Sequence, residues 1–294
     1  MSETVEHGAV WLQGAGCSGC SVSLLNGLSP SVKNLLIDEI VPGQHVSLRF
    51  HATVMAGQGA PAVSVLEAAE SGPDDGFILL LEGSVQTAEG GIYCTIGETA
   101  EGEHLTLADT AEKLGRKASL AIAIGTCAAY GGLPAAEPNP TGAMGLAEFF
   151  KERGVETPVV NIPGCPSHPD WIVGTIGMVL LGLTPEVDDV GRPKAFFGKL
   201  IHDNCPRRGY FDTGRFAKHF GDEGCLYELG CSGPYAYADC PNRQWNSGTN
   251  WPIKGGAPCM ACVEPKFWDK YAPLYQKITE ERMERFKVKR SAKG

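Results

Sequence analysis

The sequence predicts an α/β fold: a parallel sheet in the first part of the chain, followed by a loop-rich segment organised by cysteine. Three observations predict it. Apolar runs alternate with amphipathic stretches up to about residue 185, the pattern of a sheet wound by crossover helices. Each apolar run empties into a short polar or Gly-rich turn. Beyond Asp189 the alternation dissolves, and six cysteines crowd between His202 and Cys262. A domain boundary is therefore expected between residues 188 and 189, giving 1–188 and 189–294.

The strands expected are Ala9–Leu12, Val46–Phe50, Phe77–Leu81, Leu120–Ile124 and Pro158–Ile162. All are short apolar runs bounded by turn residues, as in strands buried on both faces. The helices expected are Ser21–Leu28, Ala60–Ala69, Thr106–Leu114, Ala143–Lys151 and Trp171–Leu181. The turns after the strands read GAGCSGC, HATVMAG, EGSVQTAEGG, GTCAAYGG and IPGCPSHPDW, and three of the five carry cysteine. Ligands of doubly wound sheets sit at the carboxyl ends of the strands. The tail Phe267–Gly294 regains helical character and ends in a basic stretch, KVKRSAKG, read as a frayed terminus.

Composition narrows the chemistry. The chain has 294 residues, 43% hydrophobic and 20% charged, enough to bury a core without disulfides. A formal charge of −9 argues against a nucleic-acid partner, which needs clustered basic residues. With 38 Gly and 20 Pro, much of the backbone is shaped loop. No apolar run reaches the length of a membrane span. The N-terminal residues carry no export signal, so a cytoplasmic location is expected, or a periplasmic one if a leader was removed or a partner protein carries one. Eleven cysteines, an odd number in a reducing compartment, point to metal ligands rather than disulfides.

The cysteines fall into three groups. Cys17 and Cys20 follow the first strand, and Cys127 and Cys165 follow two others, so a parallel sheet brings the four together. Four thiolates suit zinc or a 4Fe–4S cluster; one close pair plus two isolated cysteines favours the cluster. His202, Cys205, Cys225 and Cys231 form a second set, one imidazole and three thiolates. Cys240, Cys259 and Cys262 form a third, suited to 3Fe–4S, with Pro252 standing where a fourth ligand is missing. Cys94 is left over and reads as a buried, unligated thiol. With no nucleophile or acid–base pair to use these sites, the chain reads as an electron conductor. A zinc-stapled interaction protein is the alternative.

The motifs WLQGAGCSGCSVSLLN, LEGSVQTAEGGIYC, GTCAAYGG, NIPGCPSHPDWIVG, IHDNCPRRGYFD and GCLYELGCSGP, with the Cys240–Cys262 stretch, resemble the small, electron-transferring subunit of nickel–iron hydrogenases along nearly the whole chain. The related quinone-reductase subunit lacks the C-terminal cysteine segment. The resemblance implies a flavodoxin-like N-terminal domain. It also implies a proximal 4Fe–4S cluster on Cys17, Cys20, Cys127 and Cys165, and a distal 4Fe–4S cluster on His202, Cys205, Cys225 and Cys231. A medial 3Fe–4S cluster would lie on Cys240, Cys259 and Cys262. Selenium-containing relatives place a cysteine at Pro252 and hold a medial 4Fe–4S cluster. Oxygen-tolerant relatives add cysteines at what look like Gly19 and Gly132, so glycine at both implies an ordinary proximal cluster. The nickel–iron centre, with its cyanide and carbonyl ligands, would lie in an obligate large subunit that forms a heterodimer with this chain. Electrons would leave to an unidentified acceptor. Glu82, at the end of the third strand, is expected to assist proton transfer or interface hydrogen bonding, or else to be a solvated carboxylate.

Overall fold

A computed structural model describes residues 4–72, 76–99, 102–277, 279 and 281. Its framework is a five-stranded sheet: β1 (Val5–Gln13), β2 (Gln44–His51), β3 (Ile78–Glu82), β4 (Leu120–Ile124) and β5 (Val159–Ile162). The order is β2-β1-β3-β4-β5 and every pairing is parallel. This is the flavodoxin-like winding, whose switch point falls between β1 and β3. Helices α1 (Gly19–Leu25), α2 (Ala60–Ser71), α3 (Leu107–Lys117), α4 (Gly125–Tyr130), α5 (Leu146–Arg153) and α6 (Pro169–Leu180) connect or flank the strands.

The sequence explains why these segments pair. Every residue of β3 is buried, so its run of Ile and Leu is covered on both faces. Each such side chain contributes about 1.5–3 kcal/mol when fully buried. Val10, Leu12, Leu79, Leu81 and Ala123 join Leu107, Leu114, Leu146 and Phe149 in one core. Helix α3 starts at Thr106, whose hydroxyl accepts from Asp109 N–H at 3.1 Å.

Register matters most for function. Gln13 pairs with Glu82, Glu82 with Ile124, and Ile124 with Ile162. The carboxyl ends of four strands thus lie in one row, and the segments that follow them emerge together.

Several expected bounds move. Helix α1 begins at Gly19 rather than Ser21, because the N–H groups of Cys20 and Ser21 find an acceptor in Glu82. Ala143–Met144 pairs antiparallel with Val85–Gln86, so α5 starts only after Gly145. The chain divides into two compact units, Met1–Phe196 and Phe197–Gly294, rather than after residue 188. The reason is local: Asn161 donates from its backbone N–H to Gly191 O (2.8 Å) and from Nδ2 to Val190 O (2.8 Å). Arg192 Nε meets Asp188 Oδ2 at 2.8 Å and closes the loop that Asn161 ties to β5.

The second unit is made of short helical turns, among them Ile201–Asn204, Leu226–Leu229 and Gly233–Tyr235. Edge-to-face packing of Phe211 on Phe216 and Tyr227 stiffens it. Residues 267–277 form turns rather than the expected helix, with Pro265 and Pro273 removing backbone donors. The basic stretch at the end of the chain lies outside the described residues.

Candidate metal centres

In the first unit Cys17 follows β1, Cys20 lies in the first turn of α1, Cys127 lies in α4 directly after β4, and Cys165 follows β5. Ser18 takes a left-handed conformation (φ 57°) between the first two. The four thiols act on one another electrostatically. Burial pushes Cys20 far above its ordinary value, Ser167 N–H opposes this at 3.5 Å from Sγ, and Glu82, Cys127 and Cys165 add to it. Burial, and after it the charge of Cys165, pushes Cys127 up to about 11. Cys165 is raised by burial and then by Cys17. Thiols raised in this way stay protonated unless a cation shares their charge.

Two glycines make room for these sulfurs. A Cβ on Gly125, at φ 86°, would fall 2.5 Å from Cys20 Sγ. One on Gly132, at φ 56°, would fall 2.9 Å from the backbone N, Cα and Sγ of Cys127. A Cβ on Gly19 would stand 3.0 Å from Cys17 Sγ, so both glycines singled out from the sequence do border the cysteine group.

Glu82 is not solvated: only 4% of it is exposed. Its Oε1 accepts from Cys20 N–H (2.9 Å) and Ser21 N–H (3.1 Å), and its Oε2 from Gln13 Nε2 (3.2 Å) and the Ser21 hydroxyl. A carboxylate at the start of α1 satisfies donors that the helix leaves free.

In the second unit His202, Cys205, Cys225 and Cys231 line one pocket with Arg207, Leu226, Tyr227 and Ile253. The His202 ring stands edge-on to Phe211, with centroids 4.6 Å apart. Its Nε2 is buried and makes no hydrogen bond. Burial first, then the Arg208 charge, lowers its pKa, so the ring is neutral and able to act as a ligand. Burial pushes Cys231 up to about 11, with Cys205 and Cys225 adding to it against the N–H groups of Gly233 and Cys259.

Burial, and after it the charge of Cys262, raises Cys240, while Cys259 is raised by burial, then by Cys231, and less by Cys262 and Cys240. The sequence did not reveal that Cys259 N–H donates to Cys231 Sγ at 3.4 Å, which ties the second and third groups together. Pro252 is exposed between the buried Trp251 and Ile253, and its carbonyl accepts from Ala257 N–H at 2.8 Å. Cys94 is half-buried against the core, its thiol raised by burial. Among the described residues, no three His, Cys, Asp or Glu side chains converge on a single point as one metal ion requires.

Residues 17–179 match the family model of the NADH ubiquinone oxidoreductase 20 kDa subunit, and residues 197–275 match that of the C-terminal part of the NiFe/NiFeSe hydrogenase small subunit. The periplasmic NiFeSe hydrogenase small subunit of Desulfomicrobium baculatum is 46% identical over 277 residues, covering 90% of this chain and 86% of that one. The chain belongs to the small subunits of NiFe and NiFeSe hydrogenases. The periplasmic NiFe hydrogenase small subunit 1 of Nitratidesulfovibrio vulgaris is 43% identical to this small subunit over 273 residues, covering 91% and 81%. The structure of a reduced, active NiFeSe hydrogenase from Desulfomicrobium baculatum superposes with a TM-score of 0.86 at 45% identity, covering 93% of this chain and 100% of that one.

Family membership makes this small subunit part of an oxidoreductase acting on H2 and implies a large-subunit partner. The relatives' names overturn the cytoplasmic location expected from the N-terminal residues and point to the periplasm. A leader is a removable segment, so the residues of a folded domain do not record the compartment. No helix among the described residues is long and apolar enough to cross a membrane.

Proposed function

We infer that this chain carries electrons between a nickel–iron centre in its large subunit and an external acceptor, through a 4Fe–4S cluster on Cys17, Cys20, Cys127 and Cys165, a second on His202, Cys205, Cys225 and Cys231, and a 3Fe–4S cluster on Cys240, Cys259 and Cys262. The observation that carries this reading is the His202 pocket. A buried imidazole nitrogen with no hydrogen-bond partner shares a hollow with three thiols, and an orphaned buried polar atom is costly unless something binds it. Iron–sulfur clusters, when bound, supply one-electron redox chemistry. The chain's own residues supply thiolates, the N–H groups of Ser167 and Cys259 donating to the sulfurs of Cys20 and Cys231, and shielding from water. Exposed Val22, Leu25 and Leu28, on or just after the helix that carries Cys20, offer the apolar surface a large subunit would cover.

Iron, sulfide and zinc analysis of the purified complex tests the reading. Expected is a brown, iron-rich, zinc-free protein with a 3Fe-type EPR signal when oxidised. A colourless zinc protein would support an interaction module instead. The third site has its own test. Pro252→Cys is expected to abolish the 3Fe signal, because an added thiolate completes a 4Fe–4S cluster and lowers its potential. A 3Fe signal that survives in Pro252→Cys removes Pro252 from the ligand positions.

A further inference from the structure

Glu82 lies at the end of a polarised hydrogen-bond chain that reaches beyond the cysteine motifs to His51 and Thr53. The chain begins at the surface loop after β2, where Thr53 N–H donates to His51 Nδ1 at 3.3 Å. A backbone amide can only donate, so Nδ1 carries no proton and the neutral ring holds its proton on Nε2. Nε2 lies 3.2 Å from Ser21 Oγ and donates to it. Gln13 Nε2 donates to the same oxygen at 3.2 Å, so Ser21 Oγ receives two hydrogen bonds and has one proton to give. That proton goes to Glu82 Oε2. With Gln13 Nε2 also donating to Oε2, and Cys20 N–H and Ser21 N–H to Oε1, the carboxylate accepts four hydrogen bonds.

The site is closed. His51 is 4% exposed and Ser21 5%, and the His51 ring lies against Trp11 with centroids 4.9 Å apart. Burial lowers the His51 pKa, keeping the ring in the neutral form that the chain of donors requires. The charge of Glu82 reaches the thiols: it is among the causes that raise both Cys20 and Cys127. How completely donors neutralise this carboxylate therefore sets part of the field at the four cysteines.

We propose that His51 and Ser21 are positioning residues that hold the Glu82 carboxylate in its four-donor geometry and thereby raise the reduction potential of the cluster bound by Cys17, Cys20, Cys127 and Cys165. His51 acts through the hydroxyl: it occupies one lone pair of Ser21 Oγ, which turns the serine proton toward Glu82. Without it the hydroxyl is free to rotate, the carboxylate loses a donor, and its uncompensated negative charge favours the oxidised cluster. The inference rests on the cluster assignment above.

The test is an EPR-monitored redox titration of the purified two-subunit complex. Ser21→Ala is expected to lower one cluster midpoint by about 59 mV, a tenfold change for a one-electron couple, and to leave the others in place. His51→Leu should move the same midpoint in the same direction, and the double variant no further than the larger single. His51→Gln, whose side-chain amide presents a donor near the Nε2 position, should restore it. If every midpoint stays fixed in Ser21→Ala and His51→Leu, the proposal is wrong. If His51→Gln shifts as far as His51→Leu, packing rather than the hydrogen bond is responsible and the proposal also fails. A wild-type complex with no cluster on the four cysteines would instead overturn the assignment beneath it.

Discussion

Gly125→Ala is expected to strip the four-cysteine centre and reduce H2-dependent dye reduction to background. Two costs act together. The φ of 86° suits glycine, and a side chain there brings about 1–3 kcal/mol of strain. Strain of that size would weaken the fold without erasing a centre. The contact decides it: the new methyl would stand 2.5 Å from Cys20 Sγ, so the sulfur must move, and Cys20 is tied through its backbone N–H to Glu82 and through Sγ to Ser167. Gly154→Ala separates the two effects. It has a similar left-handed backbone (φ 61°) but no atom within 4 Å of the new methyl. Iron per complex should fall by one cluster's share in Gly125→Ala and stay whole in Gly154→Ala. Full iron and full activity in Gly125→Ala would mean that Cys20 is not a ligand.

His202→Ala is expected to separate two activities of the complex. On the proposed assignment, hydrogen–deuterium exchange would take place at a nickel–iron centre of the other subunit and would need no electron exit, so it should survive. Dye-linked H2 oxidation needs the exit and should fall by at least the roughly 10–100-fold seen when mere supporting partners of metal ligands are removed. The structure strengthens this expectation over a surface-histidine reading, because Nε2 is buried beside three thiols rather than solvated. His202→Cys keeps a ligand but adds a negative charge, so it should retain iron while lowering the cluster's potential. Loss of both activities in His202→Ala would assign the residue to the fold. No change in either would leave the pocket's fourth ligand elsewhere.

The sequence by itself determined the parallel sheet and singled out the cysteines that follow its strands. Short apolar runs such as Leu120–Ile124 admit one reading when each is followed by a turn and an amphipathic stretch, since a strand covered on both faces must be apolar throughout. The thiols were legible for a similar reason: their spacing, after strand ends and through the loop-rich segment, carries the chemistry whichever compartment the chain occupies. What only the tertiary structure decided concerns groups whose meaning depends on distant neighbours. Glu82 reads in sequence as a strand-end carboxylate of uncertain exposure. It is buried because register places it between Gln13 and Ile124, where the N–H groups of α1 converge on it. His51 and Ser21 lie thirty positions apart, in two stretches that no local pattern links, yet β1–β2 pairing sets His51 beside the start of α1, within hydrogen-bond distance of Ser21. The bond from Cys259 N–H to Cys231 Sγ and the place of residues 189–196 with the first unit were hidden in the same way. Local sequence encodes periodicity and ligand type through short-range sterics and polarity. Which polar groups end up buried together is set by long-range register, and no local pattern records it.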